Sequence, residues 1–201
     1  MAKARMNKRC ASEERATRET QIRITLNLDG TGVSSISTGL PFLDHMLELF
    51  SRHSLIDLDL QATGDLAVDY HHTVEDIGLT LGTALDKALG DRKGIRRYGW
   101  AYLPMDESLS RVVVDLGGRP YLVKDMVCRK RRILDFELAL FDDFFQSLVV
   151  QGRMNLHIAQ LLGSEAHHAY ESVFKGFARA MRMALEFDPR DQRIPSSKGV
   201  I

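Results

Sequence analysis

Two pairs of adjacent histidines stand out among the seven histidines of this 201-residue chain. His71-His72-Thr73-Val74-Glu75 and His167-His168-Ala169-Tyr170-Glu171 both read His-His-x-x-Glu and lie 96 residues apart. If each opens a helix, residues three and four apart share a face, so a histidine and the glutamate of one motif can reach one ion. Neighbouring side chains on a helix diverge by about 100°, so His71 and His72 cannot easily chelate the same ion. Two metal sites, with each pair contributing to both, satisfy that geometry. Imidazole nitrogen mixed with carboxylate oxygen, and no thiolate on offer, suits Mn, Fe or Zn better than Ca. One such motif alone reads equally well as a surface cluster at a helix start. A second copy at a matched place argues for metal.

The repeat points to further ligands. His45 precedes the first pair by 26 residues and Asp143 the second by 24, so an internal two-fold would make them equivalent; a surface aspartate is the other reading of Asp143. His157 alternates with Leu156 and Ile158 and reads as structural or surface. His53, at the end of the first helix, is either a C-terminal charge or faces the site. Cations near the motifs suggest an anionic ligand. Arg96 and Arg97 follow Gly94, Arg119 follows Gly117-Gly118, and Lys175 shares a helical face with His168 and Glu171. With the hydroxyls of Ser196 and Ser197 and the charge of Lys198, these groups suit a phosphate, although each alone reads as a solvated charge. Cys128-Arg129-Lys130-Arg131-Arg132 reads as a loop. Glu19, Asp106 and Glu107 sit at strand ends, where each is either a proton shuttle or a solvated carboxylate.

The elements that must position these groups repeat as well. Ile22, Ile24, Leu26 and Leu28 alternate with polar residues, as do Ile56, Leu58 and Leu60, which predicts half-buried strands. Pro41 opens a helix with Phe42, Leu43, Met46, Leu47 and Phe50 on one stripe, and a second helix runs from about His72 to Leu89. Strands follow over 98–103, 109–116 and 121–127, then a helix over 136–150, a short strand over 155–158 and a long helix from about His168 to Glu186. The chain therefore divides into a basic, flexible arm (1–18) and two related halves (19–95 and 96–201) in one domain. Each half is a small sheet backed by two helices, an α/β (α+β) arrangement. Its 27 basic and 27 acidic residues cancel, against a nucleic-acid partner. Two cysteines favour a reducing, cytoplasmic setting. A signal peptide and a membrane span are not expected.

Four motifs in order carry a resemblance: Pro41-Phe42-Leu43-Asp44-His45-Met46-Leu47; His71-His72-Thr73-Val74-Glu75-Asp76; His167-His168-Ala169-Tyr170-Glu171 with Phe174-Lys175-Gly176-Phe177-Ala178-Arg179-Ala180; and Pro195-Ser196-Ser197-Lys198-Gly199. From about Glu19 to Ile201 the chain resembles the imidazoleglycerol-phosphate dehydratases of histidine biosynthesis, in their stand-alone form. The resemblance implies a duplicated fold of four-stranded mixed sheets, like domain 2 of ribosomal protein S5. It implies trimers assembled into a 24-subunit shell, with active sites between subunits and two Mn(II) ions in each. One ion would be held by His71, Glu75, His167 and position 143, the other by His45, His72, His168 and Glu171. Glu19 matches the proton-shuttling carboxylate. Arg97, Arg119, Lys175, Ser197 and Lys198, with Ser196 beside them, match phosphate-binding groups, and His53 matches a pocket residue. The implied reaction dehydrates D-erythro-imidazoleglycerol phosphate to imidazole-acetol phosphate through a metal-bound imidazolate. Among the catalytic groups would be Glu19, His71, Glu75, His167 and Glu171. Asp143 and Leu49 depart from the family pattern, where many members carry His and Gln. On the residues alone, a two-metal hydrolase of a phosphorylated metabolite competes with this reading, and a metal-storing shell protein is the non-enzymatic alternative.

Overall fold

Strict alternation builds the first sheet. In β2 (Thr20–Asn27) Ile22, Ile24 and Leu26 are buried while Gln21, Arg23 and Thr25 are exposed, because successive side chains of a strand point to opposite faces. With β1 (Cys10–Ala16), β3 (Ser34–Ser37) and β4 (Asp57–Gly64) it forms a four-stranded sheet in the order β1-β2-β4-β3. β2 is antiparallel to β1 and β4, whereas β3 joins β4 in parallel across the connection made by α1 (Pro41–Ser54). Pro41 occupies the first helical position, where a missing N–H costs nothing. α2 (His71–Leu89) follows β4.

The second half repeats the topology. β5 (Tyr98–Met105), β6 (Ser108–Asp115), β7 (Tyr121–Asp125) and β10 (Asn155–Leu162) pair in the order β5-β6-β10-β7, with the same strand senses. A short hairpin of β8 (Arg132–Ile133) and β9 (Phe136–Glu137) intervenes before α3 (Leu140–Gly152), and α4 (Ala166–Leu185) closes the half. α1 and α2 cover the first sheet and α3 and α4 the second. The helices also pair across the halves, α1 against α4 and α2 against α3, so one hydrophobic core runs through both. Phe50 of α1 stacks on Phe177 of α4 at 5.1 Å. The α2–α3 approach is close enough to require glycine: a Cβ at Gly78 or Gly82 would lie 2.6 Å from the carbonyl oxygens of Phe144 and Leu148 respectively. These two helix pairs set the histidines against their partners.

The computed structural model describes residues 9–201. Three expectations need correction. The flexible arm expected over 1–18 falls partly outside the described residues, and its residues 10–16 are the edge strand β1. Its inward positions are Ala11 and Glu13, only half buried, so little apolar alternation marks it. The helix expected from Phe136 begins at Leu140, because Phe136 and Glu137 pair back onto Arg132 and Ile133. The last strand continues to Leu162 rather than stopping at Ile158. No described helix is long and apolar enough to cross a membrane.

Candidate active site

The α1–α4 contact builds the first cluster. His167 and Glu171 are one helical turn apart and share a face, and α1 brings His45 to them. Glu171 Oε1 lies 2.9 Å from His45 Nε2 and 3.1 Å from His167 Nε2, while Oε2 accepts from the ammonium of Lys175. One ligand atom from each of His45, His167 and Glu171 lies within 4.8 Å of the others. Phe42 packs on the His167 ring at 5.4 Å. Burial alone would raise the Glu171 carboxyl. The hydrogen bonds from Lys175, His45 and His167, with the charge of Lys175, outweigh it and bring the group down to about 2. Glu171 is therefore ionised at neutral pH although only 7% exposed.

The α2–α3 contact builds the second. His71 lies 3.2 Å from Asp143 through Nδ1 and 3.6 Å from Glu75 through Nε2. The two ring nitrogens face opposite ways, so this imidazole bridges two carboxylates. The second histidine of each pair turns aside, as the 100° step demands. His72 Nδ1 meets Asp65 at 3.1 Å and faces Glu19 at 3.8 Å. His168 Nδ1 meets Glu107 at 2.8 Å, and its Nε2 lies 3.8 Å from Asp106. Within the chain the two implied ligand sets are not assembled: His167 sits with His45 and Glu171 rather than with His71 and Asp143, and His72 and His168 stand on Asp65 and Glu107. The cause is the i,i+4 spacing, which ties the first histidine of each motif to the glutamate of that motif.

The donor chemistry fits a divalent metal. Two imidazole nitrogens and a carboxylate oxygen converge at the His45–His167–Glu171 cluster, a set suited to Mn, Fe or Zn. His71, Glu75 and Asp143 lie together, but the two carboxylates stand on opposite sides of the His71 ring and do not converge on one point within the chain.

The expected phosphate groups fall in two places. Lys175 lies at the first cluster, and its charge reaches half-buried His53, whose pKa is lowered by burial first and then by Lys175, Arg179 and Arg52. Arg97 lies elsewhere. Its backbone N–H bonds the carbonyl of Ala184, thirteen residues beyond Glu171 on α4, about 20 Å at 1.5 Å per residue. Arg97 pairs with Asp115 at 2.6 Å, donates to the Pro195 carbonyl at 2.8 Å, and lines a cleft of about 790 Å³ with Ser196 and Ser197. Ser196 accepts the Lys198 N–H at 3.2 Å. Arg119 is exposed and offers its carbonyl to Asn155. His157 lies exposed on β10, and Leu49 packs partly against the core. Sequence reasoning passed over Asp65, Asp69 and Glu165. Asp69 accepts the His71 N–H at 2.8 Å and Glu165 the His168 N–H at 2.9 Å; an acidic residue just ahead of each motif is the signal that points to them.

The family model for imidazoleglycerol-phosphate dehydratase matches residues 38–181. A relative of that name from Alcanivorax borkumensis is 56% identical over 197 residues, covering 98% of this chain and 97% of its own length. One from Bordetella avium is 56% identical over 194 residues, covering 96% of this chain and all of its own. Among solved structures, the Staphylococcus aureus dehydratase superposes with a TM-score of 0.81 at 39% identity, over 89% of this chain and 99% of that one. The Pyrococcus furiosus enzyme, solved with (S)-C348, gives 0.82 at 37% identity, over 94% and 100%. With the paired His-His-x-x-Glu helices and the duplicated sheets in place, the chain belongs to the imidazoleglycerol-phosphate dehydratase family, the hydro-lyases of histidine biosynthesis.

Proposed function

We propose that the chain dehydrates D-erythro-imidazoleglycerol phosphate to imidazole-acetol phosphate in the cytoplasm, using two Mn(II) ions per site within a 24-subunit assembly of trimers. The observation that carries this reading is the convergence of His45, His167 and Glu171 from two halves of the chain onto one point. His45, His167 and Glu171 would hold one ion, and His71, Glu75 and Asp143, with His72 and His168, would contribute to the other across neighbouring subunits. Bound there, the ions supply Lewis acidity and a template for the imidazole ring. The chain does the rest. Lys175 keeps Glu171 ionised and places a cation for the substrate phosphate beside the cluster. On that side burial and the charge of Lys175 lower the pKa of His53, disfavouring its charged form. Glu19 is more than half exposed and stands beyond hydrogen-bond distance of His72, so its carboxylate is free to take the carbon-bound proton. Arg97, Arg119, Ser196, Ser197 and Lys198 serve the phosphate of an adjoining subunit, because about 20 Å of α4 separates Arg97 from Glu171.

Turnover of imidazoleglycerol phosphate after EDTA stripping and re-addition of Mn(II), with sizing of both states, tests the reading. Activity should vanish on stripping and return with Mn(II). Full activity in verified metal-free protein, or release of inorganic phosphate without a ketone product, would overturn it, the latter in favour of a hydrolase.

A further inference from the structure

Glu19 and Glu107 occupy the same position in the two halves. Each immediately precedes the first residue of a second strand, Thr20 of β2 or Ser108 of β6, and β2 and β6 hold the same place in their sheets. Each faces the second histidine of a His-His-x-x-Glu motif. Their surroundings nevertheless differ. Glu107 is pinned: it lies 2.8 Å from His168 Nδ1, accepts the Glu165 N–H at 3.2 Å and takes the Ser108 hydroxyl at 3.2 Å. The hydrogen bond from His168 leads the contacts that draw its carboxyl down to about 2. The two-residue β5–β6 turn that presents it holds Asp106 at φ 47°, a left-handed conformation that aspartate tolerates. Glu19 is 3.8 Å from His72 and more than half exposed.

A different residue explains the difference. In the first half Asp65, just past β4, reaches His72 Nδ1 at 3.1 Å and 3.3 Å through its two oxygens. In the second half the stretch past β10 spends its carboxylate, Glu165, on the N-terminus of α4. The His72 ring is therefore held by Asp65 and the His168 ring by Glu107. A carboxylate accepts hydrogen bonds, so in a metal-ligating form each ring would carry its proton on Nδ1, toward Asp65 or Glu107, and offer Nε2. A carboxylate behind a ligating imidazole fixes both tautomer and ring direction.

We infer that Asp65 and Glu107 are positioning residues that present Nε2 of His72 and His168 as metal donors, and that Asp65, by taking over this task in the first half, leaves Glu19 unpinned to move a proton. The inference rests on the metal-dependent reading above. The duplicated site has thus diverged at one pair of equivalent glutamates, one held by hydrogen bonds and one standing 3.8 Å from its histidine.

Mn(II) titration of stripped, reassembled protein, with turnover measured across Mn(II) concentration, tests it. Asp65→Ala and Glu107→Ala should each weaken Mn(II) binding by roughly 10–100-fold, with kcat rising again as Mn(II) is raised. Asp65→Asn and Glu107→Gln should lose less, because the amide oxygen still accepts from Nδ1; they also serve if an alanine variant fails to fold. Glu19→Gln should bind Mn(II) like the parent chain and lose roughly 10²-fold or more in kcat. Unchanged Mn(II) affinity in the Asp65 and Glu107 variants overturns the inference. So does a Glu19 variant that loses metal affinity as they do. If the parent chain itself binds no Mn(II), the functional reading falls and this inference with it. Binding by the parent with indifferent variants sinks this inference alone.

Discussion

Carboxylates set the behaviour of this molecule residue by residue. Asp143 Oδ2 lies 3.2 Å from His71 Nδ1. If His71, Glu75 and Asp143 hold one of two ions, Asp143→Ala should lower bound Mn(II) from two per chain toward one, read by metal analysis after gel filtration. A second carboxylate has a purely structural task. Asp57 Oδ1 accepts the N–H groups of Thr31, Gly32 and Val33 at 2.8–3.0 Å and so closes the turn between β2 and β3. Burial would raise its pKa, but these backbone bonds and the Asn27 amide win and lower it. The sign follows from linkage: the folded state binds the proton less readily than the unfolded chain. This contribution to stability is complete above the ordinary carboxylate range, near pH 4, and is lost as pH falls through the lowered value. Asp57→Ala should cost about 1–2 kcal/mol at neutral pH, and the deficit relative to the parent should shrink in acid melts. A deficit constant with pH would contradict this. The histidine pairs were legible in the sequence because their chemistry is written locally, in identity and spacing. Asp65 was not, since its contact with His72 exists only once β4 has delivered the chain to the start of α2.

Among the elements, the two cross-half helix pairs matter most for the site. The α2–α3 contact is closed over Gly78 and Gly82, where a Cβ would meet carbonyl oxygens of α3 at 2.6 Å. Gly78→Ala must therefore push the helices apart, despite the better intrinsic helix propensity of alanine. Overpacking of this kind costs about 1–3 kcal/mol, measurable by denaturant unfolding, and it should draw Asp143 away from His71, weakening Mn(II) binding in the folded variant. A variant as stable as the parent would show that the helices can slide without loss. The same elements explain which parts of the fold could be read in advance. β2, β4 and β6 bury one face and declare themselves by apolar alternation, as with Val112 and Val114. β1 is an edge strand whose Glu13, Glu14 and Arg15 answer to ion pairs with Lys87, Arg23 and Asp76, so it carries a charge pattern in place of an apolar one. The β8–β9 hairpin has two residues per strand and is held by tertiary contacts. Buried Phe136 and a hydrogen bond from Tyr70 to Asp135 anchor it, and no periodicity that short can announce it.

At the scale of the whole molecule, the single chain separates the groups proposed to bind the substrate phosphate. Lys175 sits beside Glu171 at the start of α4, while Arg97 joins the C-terminal Ser196–Lys198 segment near the other end of the helix. About 20 Å of helix cannot close within one chain, but a neighbouring copy can bring its own Arg97 to the Lys175 of the first. On the proposed reading, assembly of subunits would join these groups, which makes a prediction that a self-contained site does not. Lys175→Ala and Arg97→Ala should each cut turnover sharply when alone, because each removes a charge that orients the phosphate. Dissociated, mixed and reassembled, the two variants should regain part of the lost activity. In a mixed particle some sites draw Lys175 from an Arg97→Ala subunit and Arg97 from a Lys175→Ala subunit, and those sites are whole. Sizing of the mixed particles confirms that subunits have exchanged. Exchange without any regain of turnover would mean that each site is built from one chain, and the division of labour along α4 would then need another explanation.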